Sequence, residues 1–223
     1  MNKNKIINLI KSHGIISSMM TKYQIFGVIY YLDKILNTNL EGDIVELGCN
    51  IGTTSLYIRK IMDIYNSNKE FHVYDSWEGL PEKLSEDTDM TNKYNIYFQK
   101  GSCATSKYKF INVFKKIGLT MPTIHSGWFK EISDHKYPEK ICFAFLDGDF
   151  YSSITDSLNK IYHKMVKGGI IIIDDCGNNF LPGCKKAVED FLEDKEEKLE
   201  LTGYPNKQYE FGEMLCGGII IKL

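Results

Sequence analysis

The chain has 223 residues, of which 25% are charged and 43% hydrophobic, and its formal net charge at pH 7 is -2. This composition is typical of a globular domain. The charge provides no basic field for a nucleic-acid backbone, and no segment approaches the ~20 apolar residues that span a bilayer, so we expect neither partner. The apolar run Ile6–Ile10 is too short and broken for a signal peptide, which makes the cytoplasm the expected location.

Residues 1–40 have a helical pattern. Apolar side chains from Ile25 to Leu36 recur every three or four positions, which predicts one buried helix face. The polar residues 37–39 interrupt this pattern. We therefore expect an N-terminal helical cap over residues 1–40, which packs on the sheet or covers the substrate, and a single globular unit over residues 41–223. We also expect a homodimer that forms through the N-terminal helices.

Strands and helices then alternate along the chain. Predicted strands cover residues 43–47, 71–74, 123–125, 141–146 and 170–173, with helices near 53, over 105–117, from Ser153 to Met165 and over 185–192. The pair Gly168-Gly169 is predicted to end the third of these helices. Residues 82–101 are polar and have no clear period, which is typical of a lid loop. The alternation predicts an α/β fold with a doubly wound, mostly parallel sheet.

The C-terminal part predicts two further strands. Residues 198–202 and 215–222 are apolar enough to form a closing antiparallel hairpin, with 203–214 as its connection. The six cysteines show no Cys-x-x-Cys pair and no regular spacing, so we interpret them as reduced structural thiols.

The segment Glu46-Leu-Gly-Cys-Asn-Ile-Gly52 lies where the first strand turns into the first helix of the sheet. Gly48 allows a tight turn, Gly52 allows close helix packing, and Asn50 tolerates a positive φ. Asp75 ends the second strand, where an acidic side chain can accept bonds from both ribose hydroxyls of an adenosine. This spacing serves NAD and S-adenosylmethionine (SAM) alike. The glycine pattern differs from a pyrophosphate cradle, and Glu46 favours a cationic ligand, so SAM is preferred.

Acidic residues follow two neighbouring predicted strands. Asp147 ends one apolar run, and Asp174 and Asp175 end the next. Because parallel strands share a carboxyl edge, the three carboxylates are expected to converge there, where open α/β sheets bind ligands. Their mutual repulsion predicts a hard divalent cation. Asp147 is the candidate catalytic residue, as a metal ligand, a proton acceptor or both.

Several ordered motifs resemble the macrocin O-methyltransferase family, the TylF/MycF type, over roughly residues 40–192. The more specific ones are Tyr74-Asp-Ser-Trp-Glu-Gly-Leu-Pro81 and Leu146-Asp-Gly-Asp-Phe-Tyr151. The others are Gly42–Gly48 with Gly52, Gly127–Glu131, Gly168–Asp175 and Pro182–Phe191.

The resemblance implies a seven-stranded Rossmann-like methyltransferase sheet and a SAM-dependent enzyme that methylates a sugar hydroxyl. It implies Mg²⁺ held by Asp147, Asp174 and Asp175, and adenine near Gly127 and Trp128. The expected cofactor contacts are Glu46, Gly48, Asn50, Gly52, Thr53, Asp75, Ser76, Gly127, Trp128 and Asp147.

Other interpretations stay open at this point. A metal-dependent catechol or phenol O-methyltransferase would use the same carboxylates, and a SAM- or glycan-binding protein without turnover would not need them. An NAD-dependent dehydrogenase fits the glycine loop least well. Asp149 is expected to orient its loop, to bind a substrate hydroxyl or to cap a helix. His125 and His135 are candidate bases only if they acquire partners near the reacting hydroxyl.

Overall fold

The computed structural model of the protein describes residues 3–11, 14–17, 19–88, 98–202 and 217–223. Its N-terminal helices are α1 (Lys3–Lys11) and α2 (Lys22–Leu36). The helices that alternate with the strands are α3 (Thr53–Ile64), α4 (Lys107–Ile117), α5 (Tyr151–Ile161) and α6 (Pro182–Leu192). The strands are β1 (Asp43–Leu47), β2 (Phe71–Asp75), β3 (Thr123–Ser126), β4 (Ile141–Leu146), β5 (Met165–Ile173), β6 (Glu200–Thr202) and β7 (Gly217–Ile221).

The seven strands form one sheet in the order β3-β2-β1-β4-β5-β7-β6. Strands β1 to β5 are parallel, and β7 pairs antiparallel with both β5 and β6. The predicted doubly wound fold and its C-terminal antiparallel pair are therefore confirmed. The predicted connection over residues 203–214 lies outside the described residues.

Alternating strand residues supply two hydrophobic cores, one on each face of the sheet, because successive side chains of a strand point to opposite faces. Residues such as Ile44 and Phe143 pack with helices α1 to α4. Their neighbours Val45 and Ala144 pack with α5 and α6. Helices α1 and α2 thus share a core with α3. Among the residues that the structure describes, no helix is both long and apolar enough to cross a membrane.

The prediction that Gly168 and Gly169 end a helix is wrong. Helix α5 ends at Ile161, a short 3₁₀ turn follows, and β5 already begins at Met165. Both glycines lie inside β5 and pair with the end of the chain: Gly168 N donates to Lys222 O at 2.8 Å, and Lys222 N donates to Gly169 O at 2.9 Å. Gly168 has φ +83°, and the pair bends the strand here. Glycine with a positive φ is used both in bent strands and at the ends of helices.

The predicted lid segment is anchored at both ends. Leu80 N donates to Ser102 O and Gly101 N donates to Leu80 O, each at 2.9 Å. Inside the segment, the buried Asp87 accepts bonds from Leu84 N at 3.0 Å and from Tyr151 N, at the start of α5, at 2.7 Å. Residues 89–97 lie outside the described part of the chain. The described portion therefore forms a closed loop base next to α5.

Candidate functional site

The carboxyl ends of β2, β1, β4 and β5 are joined by backbone hydrogen bonds just beyond the strands. Gly48 N donates to Tyr74 O, Asp147 N to Leu47 O and Asp174 N to Leu146 O, each at 2.8 Å. These bonds align the first residue after each strand along one edge of the sheet. The strand order reverses between β1 and β4, which is the position where open α/β sheets bind ligands.

A cavity of about 400 Å³ opens at this edge. Its volume is within the ~300–1,000 Å³ range of small-molecule sites. It contains seven of the ten predicted cofactor residues and all three predicted metal ligands: Gly48, Asn50, Asp75, Ser76, Gly127, Trp128, Asp147, Asp174 and Asp175. The structure therefore brings most of the predicted site together in one cavity.

The glycine loop of β1 has the backbone that its sequence predicts. Gly48 has φ +93°, and a Cβ on this residue would lie 2.0 Å from Asp147 O. Asn50 has φ +46°, its backbone N–H donates to Asp75 Oδ2 at 2.8 Å, and its side chain donates to Cys103 O at 2.7 Å. The loop is thus held directly against Asp75 at the end of β2 and against Cys103, which follows the predicted lid segment.

Asp75 lines the cavity with both carboxylate oxygens already in use. Oδ1 accepts the Trp77 amide at 2.7 Å, and Oδ2 accepts the Asn50 amide. Burial raises the pKa of this carboxyl above its ordinary value, and hydrogen bonds from the backbone amides of Trp77, Asn50 and Cys49 and from the Cys49 thiol act against that shift. The carboxylate of Asp75 is thus fixed in position at the wall of the cavity.

Three predicted cofactor residues do not line the cavity. Glu46 is only 1% exposed and points toward α3, where Ser55 Oγ donates to Glu46 Oε2 at 2.5 Å. Burial raises the pKa of Glu46 to about 8. Gly52 and Thr53 begin α3 behind the loop, and a Cβ on Gly52 would lie 2.8 Å from the Phe110 ring. These positions act on the loop from behind the cavity.

Four aspartates surround the point where β4 and β5 end. Asp147, Asp149 and Asp175 each place one carboxylate oxygen within 4.8 Å of the others. Asp149 has φ +62° and Asp175 has φ +54°, left-handed conformations that are uncommon for aspartate and turn both residues out of regular structure. Asp174 is buried, and both of its oxygens accept Gln24 Nε2, at 3.0 and 3.2 Å. Of the predicted trio, the structure therefore groups Asp147 and Asp175 closely, with Asp149 as the third member, while Asp174 lies outside this close group and has a protein partner.

The cluster brings several carboxyl groups close together, where their ionised forms repel one another. Within the described residues, no lysine or arginine forms an ion pair with Asp147, Asp149 or Asp174. Burial, and then the neighbouring carboxylates, raise the pKa of Asp147 and Asp174 well above the ordinary range, and raise that of Asp149 to about 8. An oxygen-rich set of this kind suits a hard divalent cation such as Mg²⁺, which would relieve the repulsion.

The two histidines considered as bases lie elsewhere. The ring of His125 is stacked between Tyr74 and His72, and its Nε2 lies 3.2 Å from His72 Nδ1. Burial lowers the pKa of His125 to about 4. His135 is exposed and contacts Ser133 Oγ. Neither histidine lines the cavity.

The cavity also contains residues that the sequence analysis did not assign to the site. They come from the start of α2 and the residues just before it, from the two sides of the predicted lid segment, and from the loops after β3, β4 and β5. Five of them, Gly79, Leu80, Pro81, Phe129 and Gly148, lie inside motifs that carry the family resemblance, and Ser153 and Asn178 lie a few positions from the aspartate motifs; the local sequence of the others carries no signal of this placement. They are Met19, Gln24, Gly79, Leu80, Pro81, Phe98, Cys103, Phe129, Gly148, Ser153 and Asn178.

The fold defines a class of protein when it is compared with solved structures. The structure of the O-methyltransferase NovP superimposes with a TM-score of 0.75 over 92% of this chain and 81% of that chain, at 22% sequence identity. At this identity the likeness concerns the fold alone, and that fold is the Rossmann-like methyltransferase fold.

The family is shown by the sequence as a whole. The model of the macrocin O-methyltransferase (TylF) family matches residues 14–203, and the chain belongs to that family. A tetracenomycin-C-type rhamnosyl 4'-O-methyltransferase of Streptomyces olivaceus is 27% identical over 73% of this chain and 62% of its own length. Mycinamicin III 3''-O-methyltransferase of Micromonospora griseorubida is 28% identical over 72% of this chain and 64% of its own length. The matches thus span less than two thirds of these relatives.

Proposed function

We propose that the protein transfers the methyl group of SAM to a hydroxyl group of a sugar-containing small molecule, with a hard divalent cation, Mg²⁺ in the first instance, at the aspartate cluster. The observation that carries the proposal is the cluster itself, which lies in the ligand cavity of a chain of this family. The names of the relatives in Streptomyces and Micromonospora, which are sugar O-methyltransferases, support the acceptor class.

The SAM side of the cavity is assigned to the loops after β1, β2 and β3. Asp75 would bind the ribose hydroxyls, and the Gly48–Asn50 turn, held by the Asp75 carboxylate, would contact the rest of the cofactor. Gly127 and Trp128 line the same cavity and would contact the adenine. Glu46 would act from behind the loop, since its carboxyl group is buried against Ser55.

The acceptor side is assigned to the aspartate cluster. We propose Asp147, Asp174 and Asp175 as the residues that hold the cation. A divalent cation held there would stabilise the hydroxyl oxygen that loses its proton, much as such cations lower the pKa of bound water. The aspartates would position the acceptor hydroxyl in line with the methyl group of SAM and accept the proton of that hydroxyl. Alignment supplies much of the rate in such a displacement.

Two residues are candidates to accept that proton. Asp147 is the proposed proton acceptor, since it directly follows β4 and belongs to the carboxylate cluster. Asp149 is favoured by a separate observation: one of its carboxylate oxygens lies within 4.8 Å of those of Asp147 and Asp175, and it lines the same cavity. An Asp149→Asn variant that still binds cation but has lost turnover would assign the proton to Asp149, whereas loss of cation binding would make Asp149 a ligand.

The proposed function is tested by mass spectrometry of methyl transfer from SAM to two pools of acceptors. The first pool contains sugar nucleotides and glycosides, and the second contains catechols. Each pool is tested with and without EDTA. A methylated sugar that disappears with EDTA is the expected result. A methylated catechol would keep the cation and replace the acceptor class. Transfer that resists EDTA would contradict the role of the cation, and SAM binding without any product would favour a binding protein.

A further inference from the structure

Gln24 uses its whole side-chain amide to connect two parts of the molecule. Its Oε1 accepts the backbone N–H of Thr21 at 2.9 Å and the hydroxyl of Thr21 at 2.8 Å, and its own backbone N–H donates to Thr21 Oγ1 at 3.2 Å. These bonds form the capping box that begins α2. Its Nε2 donates to both oxygens of Asp174, 150 positions away in the chain.

The backbone of Asp174 is also held by hydrogen bonds. Its backbone N–H donates to Leu146 O at 2.8 Å, and its carbonyl accepts the Cys184 thiol at 3.0 Å. The residue is only 3% exposed. In the part of the chain that the structure describes, Gln24 is the only side chain that donates to the Asp174 carboxylate. The amide of Gln24 therefore orients this carboxylate, together with the backbone N–H of Asp175.

The chemistry of the donor matters here. A lysine in the same place would neutralise Asp174 and take the position of a cation. A neutral amide orients the carboxylate and leaves its charge in place. Groups that hydrogen-bond metal ligands in this way fix ligand orientation and raise metal affinity. Gln24 therefore satisfies a requirement that a charged donor would defeat.

We propose that Gln24 is a positioning residue for the cation site: it orients Asp174 and, through the Thr21 capping box, joins the start of α2 to the aspartate cluster. Met19, two residues before Thr21, lines the same cavity. The contact between Gln24 and Asp174 therefore also positions the part of the cavity wall that comes from the N-terminal segment. The inference rests on the cation site of the proposed function.

The test measures Mn²⁺ binding to the full-length protein by isothermal titration calorimetry, without substrates. Gln24→Met removes the amide that holds Asp174, together with its part of the cap. Thr21→Ala damages the same cap and leaves the amide in place. We expect Gln24→Met to weaken Mn²⁺ binding by about 10-fold or more, and Thr21→Ala to stay within about 2-fold of wild type. Both should lower the midpoint of thermal unfolding to a similar extent.

Equal Mn²⁺ affinity of Gln24→Met and wild type would overturn the inference, as would an equal loss in both variants, because the cap alone would then explain it. Wild-type protein that does not bind Mn²⁺ would overturn it through the failure of the proposed cation site, a distinguishable result. If Gln24→Met does not fold, Gln24→Asn serves instead. Its amide is one methylene shorter and cannot reach both Thr21 and Asp174, so the same loss of affinity is expected.

Discussion

Two regions of this protein place carboxyl groups among buried surroundings and treat them in opposite ways. Near the C-terminus, Glu197 is only 5% exposed and pairs with the ammonium group of Lys222. It also accepts the Tyr162 hydroxyl at 2.5 Å and the Leu223 amide at 3.3 Å. These partners, Lys222 first, lower the pKa of Glu197 to about 2. At the carboxyl edge of the sheet, burial and neighbouring carboxyl groups raise the pKa of Asp149 to about 8.

The difference separates a structural carboxylate from those that the proposed function uses. A buried charge is tolerated when it is paired and hydrogen-bonded, as Glu197 is. Among the residues that the structure describes, no cationic side chain pairs with Asp147, Asp149 or Asp174, so ionising these neighbouring carboxyl groups costs stability unless a ligand supplies the counter-charge. Strongly perturbed groups of this kind, located in a cavity, are typical of active sites.

The largest expected effect comes from removing the central carboxylate of the cluster. Asp147→Asn should lower methyl transfer by at least about 100-fold, the upper end of what outer metal partners cost, because it removes a proposed ligand and proton acceptor. Steady-state transfer to a methylated sugar product measures this. Asp134→Asn is the matched control, since Asp134 lies on the surface in an ion pair with Lys160. Activity of Asp147→Asn near the wild-type level would contradict the assignment.

A cation should act on one region and not on the other. At 100 times its Kd, Mg²⁺ or Mn²⁺ should stabilise the fold by about 2.7 kcal/mol, or about 5–10 °C in a chain of this size. Differential scanning fluorimetry with and without EDTA measures the shift. The shift should disappear in Asp147→Asn and persist in Glu197→Gln. A shift that both variants keep would locate the cation elsewhere.

The paired carboxylate should contribute stability that depends on pH. Because its folded pKa is lowered to about 2, Glu197 stabilises the fold above the unfolded pKa near ~4.3 and loses that contribution as pH falls toward 2. Glu197→Gln should therefore destabilise the protein at pH 7 by about 1–3 kcal/mol, with the difference shrinking between pH 5 and pH 2. Urea unfolding at a series of pH values tests this, and a constant difference would contradict it.

The smallest effect is expected at an exposed carboxylate. Asp63 pairs with Arg59 one turn earlier on α3, at 2.7 Å, and its side chain is 43% exposed. Asp63→Asn should change the free energy of unfolding by no more than about 0.5 kcal/mol, the usual value for such pairs, and should leave methyl transfer unchanged. If Asp63→Asn instead lowers methyl transfer, the reaction would depend on the negative charge of the chain as a whole and not on the aspartate cluster alone.

The carboxyl ends of the parallel strands were predictable because their signals are local. The apolar runs of β1, β4 and β5 placed Gly48, Asp147 and Asp174 after the strands, and parallel pairing brought them to one edge. The positive φ of Asn50 followed from its residue type and position. The Gly168-Gly169 prediction failed because glycine past a helix and glycine in a bent strand have the same sequence pattern. Only the pairing with Lys222 separates the two.

The sequence by itself determined the doubly wound α/β fold, the glycine loop and the aspartates at the strand ends, because hydrophobic periodicity and turn residues act over a few positions. Only the tertiary structure decided where the side chains point. It turned Glu46 toward Ser55 and away from the cavity, brought Asp149 beside Asp175, and set Gln24 on Asp174 across 150 positions of sequence. These contacts depend on how the helices pack on the sheet, and that packing is the sum of many weak interactions that no short pattern encodes.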